Sequence, residues 1–152
     1  MGEVAERLRE LNIDLPPRRS YGKYVGAARA GNLVFVSGAG PIGPDGIVSG
    51  KVGAEVDITA AQDAARLCVI SCLSALQEEI GDLDNVGRIV KLLGFVNSAP
   101  GFSQQHVVMD GASALLLDLF GDRGRHARSS VGMAELPMNI AVEVEMIVEA
   151  AK

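Results

Sequence analysis

The stretch RSSVGMAELPMNIAVEVEMIVE, residues 128–149, decides the fold, because apolar residues alternate on both sides of Leu136-Pro137-Met138-Asn139. Alternation at period two marks a strand with one buried face, and Pro and Asn form turns, so the pattern predicts two strands joined as a hairpin. A two-residue turn would pair Val131 with Val144 and Met133 with Val142 on the core face. Ser130, Gly132, Glu143 and Glu145 would then occupy the other face, with Arg128 at the same parity. In that register Arg128 and Glu143 lie about four residues apart along the ladder, on the order of 13 Å, so they need not be partners within one chain. Glu at every second position of a strand is equally the mark of a solvated face. The arginine at the strand start is more suggestive: its planar fork suits a bidentate grip on a small carboxylate or phosphate, and Ser129 and Ser130 leave room for one to approach.

Upstream, the same period recurs. Residues 24–30 and 33–36 are small or β-branched and flank Gly31-Asn32, which predicts a second hairpin. Ser37-Gly38-Ala39-Gly40-Pro41 ends it; such a strand end exposes backbone N–H groups that could hold an anion, but a plain turn is the simpler reading, and no complete phosphate-loop or dinucleotide fingerprint is present. Residues 43–57 read as a loop with one short strand around Ile47 and Val48. Thr59-Ala60-Ala61-Gln62 has the form of a capping box, and the apolar stripe after it predicts a core helix to about Ile80, stopped by Gly81. A long strand with an imperfect alternation, hence a possible bulge, follows over 86–96. A second helix is predicted over 102–120, with His106 near its start, where a capping or surface role is the plainer assignment.

Before the first hairpin, Val4, Leu8 and Leu11 are spaced as one face of a short amphipathic helix, and Pro16, Pro17, Arg18, Arg19 and Ser20 form an extended connector. The order helix, β-β-(β)-α-β-α-β-β predicts an α+β domain with two long helices on one face of a mixed sheet. The strands carry small and apolar residues on the other face too, so a second subunit is expected to cover it.

At 152 residues the chain is long enough for one substantial core. A net charge of −5, with only 14 Lys and Arg and no basic run, disfavours a nucleic-acid surface. No apolar run approaches a membrane span, and the expected location is cytoplasmic. Cys68 and Cys72 stack on one helix face and are expected to be buried and reduced.

The C-terminal segment ARSSVGMAELPMNIAVEVEMIVEA resembles the A-R-S-x-V, L-P and V-E-x-E signature of the Rid/YjgF reactive-intermediate deaminases, also called L-PSP-type proteins, and GNLVFVSG with its following Pro is a second matching block. The likeness spans roughly residues 22–150. It implies a chorismate-mutase-like fold, a homotrimer, and small-molecule sites between subunits that hydrolyse 2-imino acids to 2-oxo acids and ammonia without a metal or cofactor. By that resemblance Arg128 grips the substrate carboxylate and Glu143 orients water, with Tyr24 and Gly38 completing the site. Ser130 stands where many members have cysteine, and His106 where the common pattern has asparagine. The chain thus divides into a helical extension, residues 1–20, whose first 15 residues are expected to be dispensable for folding, and a domain, residues 21–152. The alternative is a non-catalytic trimeric binder of small carboxylates, favoured by the departures at Ser130 and His106. A ribonuclease is disfavoured by the acidic charge.

Overall fold

A computed structural model describes residues 2–17 and 22–151; the predicted connector residues Arg18, Arg19 and Ser20 lie outside them. The elements are α1 (Glu3–Glu10), β1 (Ala27–Ala30), β2 (Leu33–Ala39), β3 (Ile42–Gly43), β4 (Gly46–Ile47), α2 (Ile58–Ile80), β5 (Val86–Asn97), α3 (Gln105–Phe120), β6 (Ala127–Met133) and β7 (Val142–Ala150). Five strands form one mixed sheet in the order β1-β2-β7-β5-β6, and β3 with β4 makes a small separate hairpin. The fold is α+β, with α2 and α3 packed on one face of the sheet as the sequence predicts.

The first hairpin forms as expected: Ala30 pairs with Leu33 across Gly31-Asn32. β5 carries the expected irregularities, with register shifts between Val86 and Arg88 and between Ile89 and Lys91. The start of α2 differs slightly, because Asp57, not Thr59, is the N-cap and its carboxylate accepts the Ala60 N–H at 2.8 Å. A carboxylate one turn ahead satisfies the free N–H and opposes the helix dipole, so it outcompetes the hydroxyl.

The C-terminal hairpin is the main correction. β6 and β7 are not neighbours: β5 lies between them, parallel to β6 and antiparallel to β7. Val131 is therefore level with Phe95 and Glu143, and Met133 with Asn97, so the pairs Val131/Val144 and Met133/Val142 do not form. Residues 134–141 cross over the end of β5 and are held there by Asn97, whose buried Nδ2 donates to Asn139 Oδ1 at 3.0 Å and to the Ile140 carbonyl at 3.1 Å. Period-two alternation says which face a residue takes in its own strand; it says nothing about which strand lies alongside. Inserting one strand also moves Arg128 to the helix-covered face, level with Leu92 and Met146, while Glu143 stays on the open face.

β7 follows its pattern: Val142, Val144, Met146, Val148 and Ala150 are buried and the intervening residues are half-buried. Across it lies α2, whose Cys68 and Cys72 are free, fully buried and hydrogen-bonded to the Val142 and Val144 carbonyls at 3.4 and 3.3 Å. Burial pushes both thiols up, which keeps them protonated and inert.

α1 is more than a surface attachment. Its Val4 is fully buried in the common core with Leu8 beside it, the Val4 N–H donates to Asp84 Oδ1 at 3.0 Å, and Glu3 pairs with Arg123 at 3.4 Å. Dispensability of residues 1–15 no longer follows. Val4→Ala is expected to lower stability by about 1–2 kcal/mol through the lost methyl groups and the space they leave, read as a fall in the urea midpoint at unchanged slope.

Candidate functional site

Each residue singled out from the sequence falls into one of two groups. Tyr24, Gly38 and Glu143 lie toward the β1–β2 side, and Arg128, Ser130 and His106 lie at the β6 edge under α3.

In the first group, Glu143 projects from the open face of β7 beside Gly38, which sits at the irregularity where β2 shifts register against β7. A Cβ on Gly38 would come within 2.9 Å of Glu143 Oε1, so only glycine lets that carboxylate lie against the strand backbone. Glu143 is half-buried and has no hydrogen-bond or ion partner among the described residues. Burial, and after it the neighbouring Glu145 charge, hold its carboxyl above the usual carboxylate range. A carboxyl with a raised pKa and no partner is suited to exchange a proton with a ligand. Tyr24 is half exposed and lines the same cavity as Gly38.

In the second group, Arg128 is braced by α3. Its Nη1 donates to Asp110 Oδ1 at 2.9 Å and to Ser113 Oγ at 3.1 Å, and its Nη2 donates to the His106 carbonyl at 3.1 Å. Three of five N–H groups are thereby used. The remaining two, on Nε and Nη2, are the adjacent pair that can hold a carboxylate side-on. His106 contributes its backbone to this arrangement, while the residue itself is exposed. Ser130, on the same face of β6 as Arg128, has a buried Oγ with no hydrogen-bond partner among the described residues.

Three residues of this network escaped the sequence reading. Asp110 and Ser113 brace the arginine, and His126 Nε2 lies 2.9 Å from Ser113 Oγ while its Nδ1 lies 2.6 Å from the Gly124 carbonyl. A carbonyl only accepts, so Nδ1 carries a proton, and in the neutral ring Nε2 accepts from the serine hydroxyl. The spacing of 106, 110 and 113 places those three on one face of a helix, a signal that was available once a partner for Arg128 was sought.

Within one chain the two groups do not meet. Arg128 is level with Leu92 and Glu143 with Phe95, two strands apart and on opposite faces, roughly 14 Å between backbone positions. The family profile described as Endoribonuclease L-PSP matches residues 16–150. The chain belongs to the endoribonuclease L-PSP family. Protein TCP17 of Trypanosoma cruzi is 45% identical over 154 residues, covering 97% of this chain and 94% of that protein. The crystal structure of Atu1372 from Agrobacterium tumefaciens, a protein of unknown function, is 44% identical with a TM-score of 0.90 over 97% of this chain and 92% of its own. The E. coli YjgF product, 24% identical with a TM-score of 0.59 over 88% of this chain and 92% of its own, shares the fold. The family match begins after α1, so the L-PSP fold here carries a helix that packs into its core from outside the matched region.

Proposed function

We propose that this L-PSP protein is a cytoplasmic homotrimer that hydrolyses 2-imino acids to 2-oxo acids and ammonia, with Arg128 of one copy and Glu143 of the next facing one another across the contact. The observation that carries this is the separation of the two groups within the chain: a carboxylate that needs a partner and an arginine with an open side-on fork, too far apart and on opposite faces, are useful together only between copies. The open face of the sheet supports it. Phe35 and Val131 stand 45% and 40% exposed there, beside the half-buried Leu93, Phe95 and Ile147, an apolar surface that a second copy would cover.

The chemistry follows from the residue types. Arg128 binds the carboxylate next to the C=N bond, which fixes the imine carbon. Glu143 takes a proton from water as the water oxygen bonds to that carbon and the C=N π pair moves to nitrogen, and passes the proton to that nitrogen to leave a carbinolamine; it then takes the hydroxyl proton and delivers it to the amine as the C–N bond breaks, so ammonia departs as the C=O forms. Tyr24 and the N–H groups around Gly38 and Ser130 bind the substrate's polar atoms.

The test couples an amino-acid dehydratase, as a source of imino acid, to oxo-acid detection. The expected result is faster oxo-acid formation by a protein of trimeric mass in light scattering. No acceleration with several imino acids, together with tight calorimetric binding of 2-oxo acids, would instead establish the non-catalytic binder. In either case Arg128→Lys should weaken 2-oxo acid binding by about 1–3 kcal/mol, since it keeps the charge and loses the fork, and Arg128→Ala should weaken it further while the fold persists. Full binding by Arg128→Ala would remove the residue from the site.

A further inference from the structure

A cavity of about 560 Å³ lies between the segment after α1, the end of β2 and the outer side of α2. Its walls are mostly apolar, with Leu11 and Ile13 facing Ile42, Leu67 and Ile70, and its size falls within the range of small-molecule sites, about 300–1,000 Å³. Leu11 and Ile13 belong to the stretch before the family match begins, so this cavity owes one wall to the extension.

Arg66 projects from α2 into the same wall. Five cationic side chains among the described residues are half-buried. Four of them have a partner: Lys51 bonds Glu135, Lys91 bonds Ser129, Arg123 bonds Glu3 and the Val86 carbonyl, and Arg128 bonds Asp110. Arg66 is the fifth, and among the described residues it has none. A guanidinium partly withdrawn from water without a partner loses hydration that nothing replaces, and a carboxylate would restore it through two charge-assisted bonds. Asp14 also lines the cavity yet makes no ion pair with Arg66; its negative charge disfavours a dianion such as a phosphate monoester.

We infer that this cavity, which shares Tyr24 and Gly38 with the site proposed above, holds a second carboxylate anchor besides Arg128: it takes a monocarboxylate with an apolar body, the carboxylate on Arg66 and the body between the extension and α2. It stands whether or not the Arg128–Glu143 site is catalytic.

The probe is octanoate, titrated by calorimetry into the full chain, with octanamide as its uncharged counterpart. Octanoate should bind, and octanamide should bind at least about tenfold more weakly because it cannot form the charged pair. Arg66→Gln should weaken octanoate by a similar factor. Ser71→Phe, which places a ring in the cavity from the half-buried face of α2, should abolish binding, and Arg128→Ala should leave it unchanged. No octanoate binding at millimolar concentration, equal affinity for octanamide, or full affinity in Arg66→Gln overturns the assignment; Arg66→Gln answers the question even if Ser71→Phe does not fold. Loss of octanoate binding in Arg128→Ala would place the carboxylate on Arg128 and overturn Arg66 as its anchor.

Discussion

Glu143→Gln is expected to lower the turnover of a 2-imino acid by about 10²–10⁴-fold and, at the same time, to raise the melting temperature at neutral pH. The first effect follows from removing the group proposed to move the proton while keeping the side chain's shape beside Gly38. The second follows from the direction of its pKa. Burial and the Glu145 charge raise it in the folded chain, so the native state holds more protons than the unfolded state between the unfolded value, about 4.3, and the higher folded value. Stability attributable to this group is complete below the unfolded value and is lost as pH rises through the folded one. Gln has no such loss, so the variant's advantage should be absent near pH 4 and present at pH 7. Because the group is only half-buried, solvent screening keeps that gain small. Single-turnover rates and melts at the two pH values check both parts; unchanged turnover would mean that Glu143 does not handle the proton.

Gly111→Ala should cost about 3 kcal/mol, one of the larger effects available from a single methyl group. Gly111 lies in the middle of α3 where α2 crosses it, and an added Cβ would collide with the Gln62 carbonyl oxygen. That obstacle is backbone, so no side chain can swing aside; the helices must separate. Doing so also strains the bond from Gln62 Nε2 to the Val107 carbonyl, 2.9 Å long, which ties the same crossing. The better helix propensity of alanine, worth about 1 kcal/mol, offsets only part of this. A thermal melt should show a fall of about 10 °C for a chain of this size, whereas Ala114→Ser on the exposed side of α3 should change little.

Legibility in the sequence tracked how local each signal is. The faces of β7 and the extents of α2 and β5 were readable because a strand's alternation and a helix's stripe are written in neighbouring residues. The placement of β6 was not, since what decides it is β5 entering from some forty residues away. That single strand changed the face of Arg128 and with it the whole arrangement of the candidate site. Arg128 and Glu143 were nominated by resemblance, and their expected separation survived for a different reason from the one the hairpin supplied. Asp110, Ser113 and His126 stayed hidden because nothing in β6 alone says which helix will lie over it. The buried role of Val4 was missed because an eight-residue amphipathic helix reads the same whether its apolar stripe meets a domain's core or merely rests on its surface.

The position of β7 has a consequence for biosynthesis. Among the described residues it follows every other strand in sequence yet is the middle one in the sheet, flanked by β2 and β5. Until the ribosome has released it, β2 and β5 have no partner along their facing edges, and α2 has no strand for Cys68 and Cys72 to lie against. Unpaired strand edges recruit other chains, so the nascent protein is at its most adhesive before β7 emerges. A premature stop even a few codons before residue 142 therefore leaves a sheet split in two, each half with an open edge and neither able to close on the other.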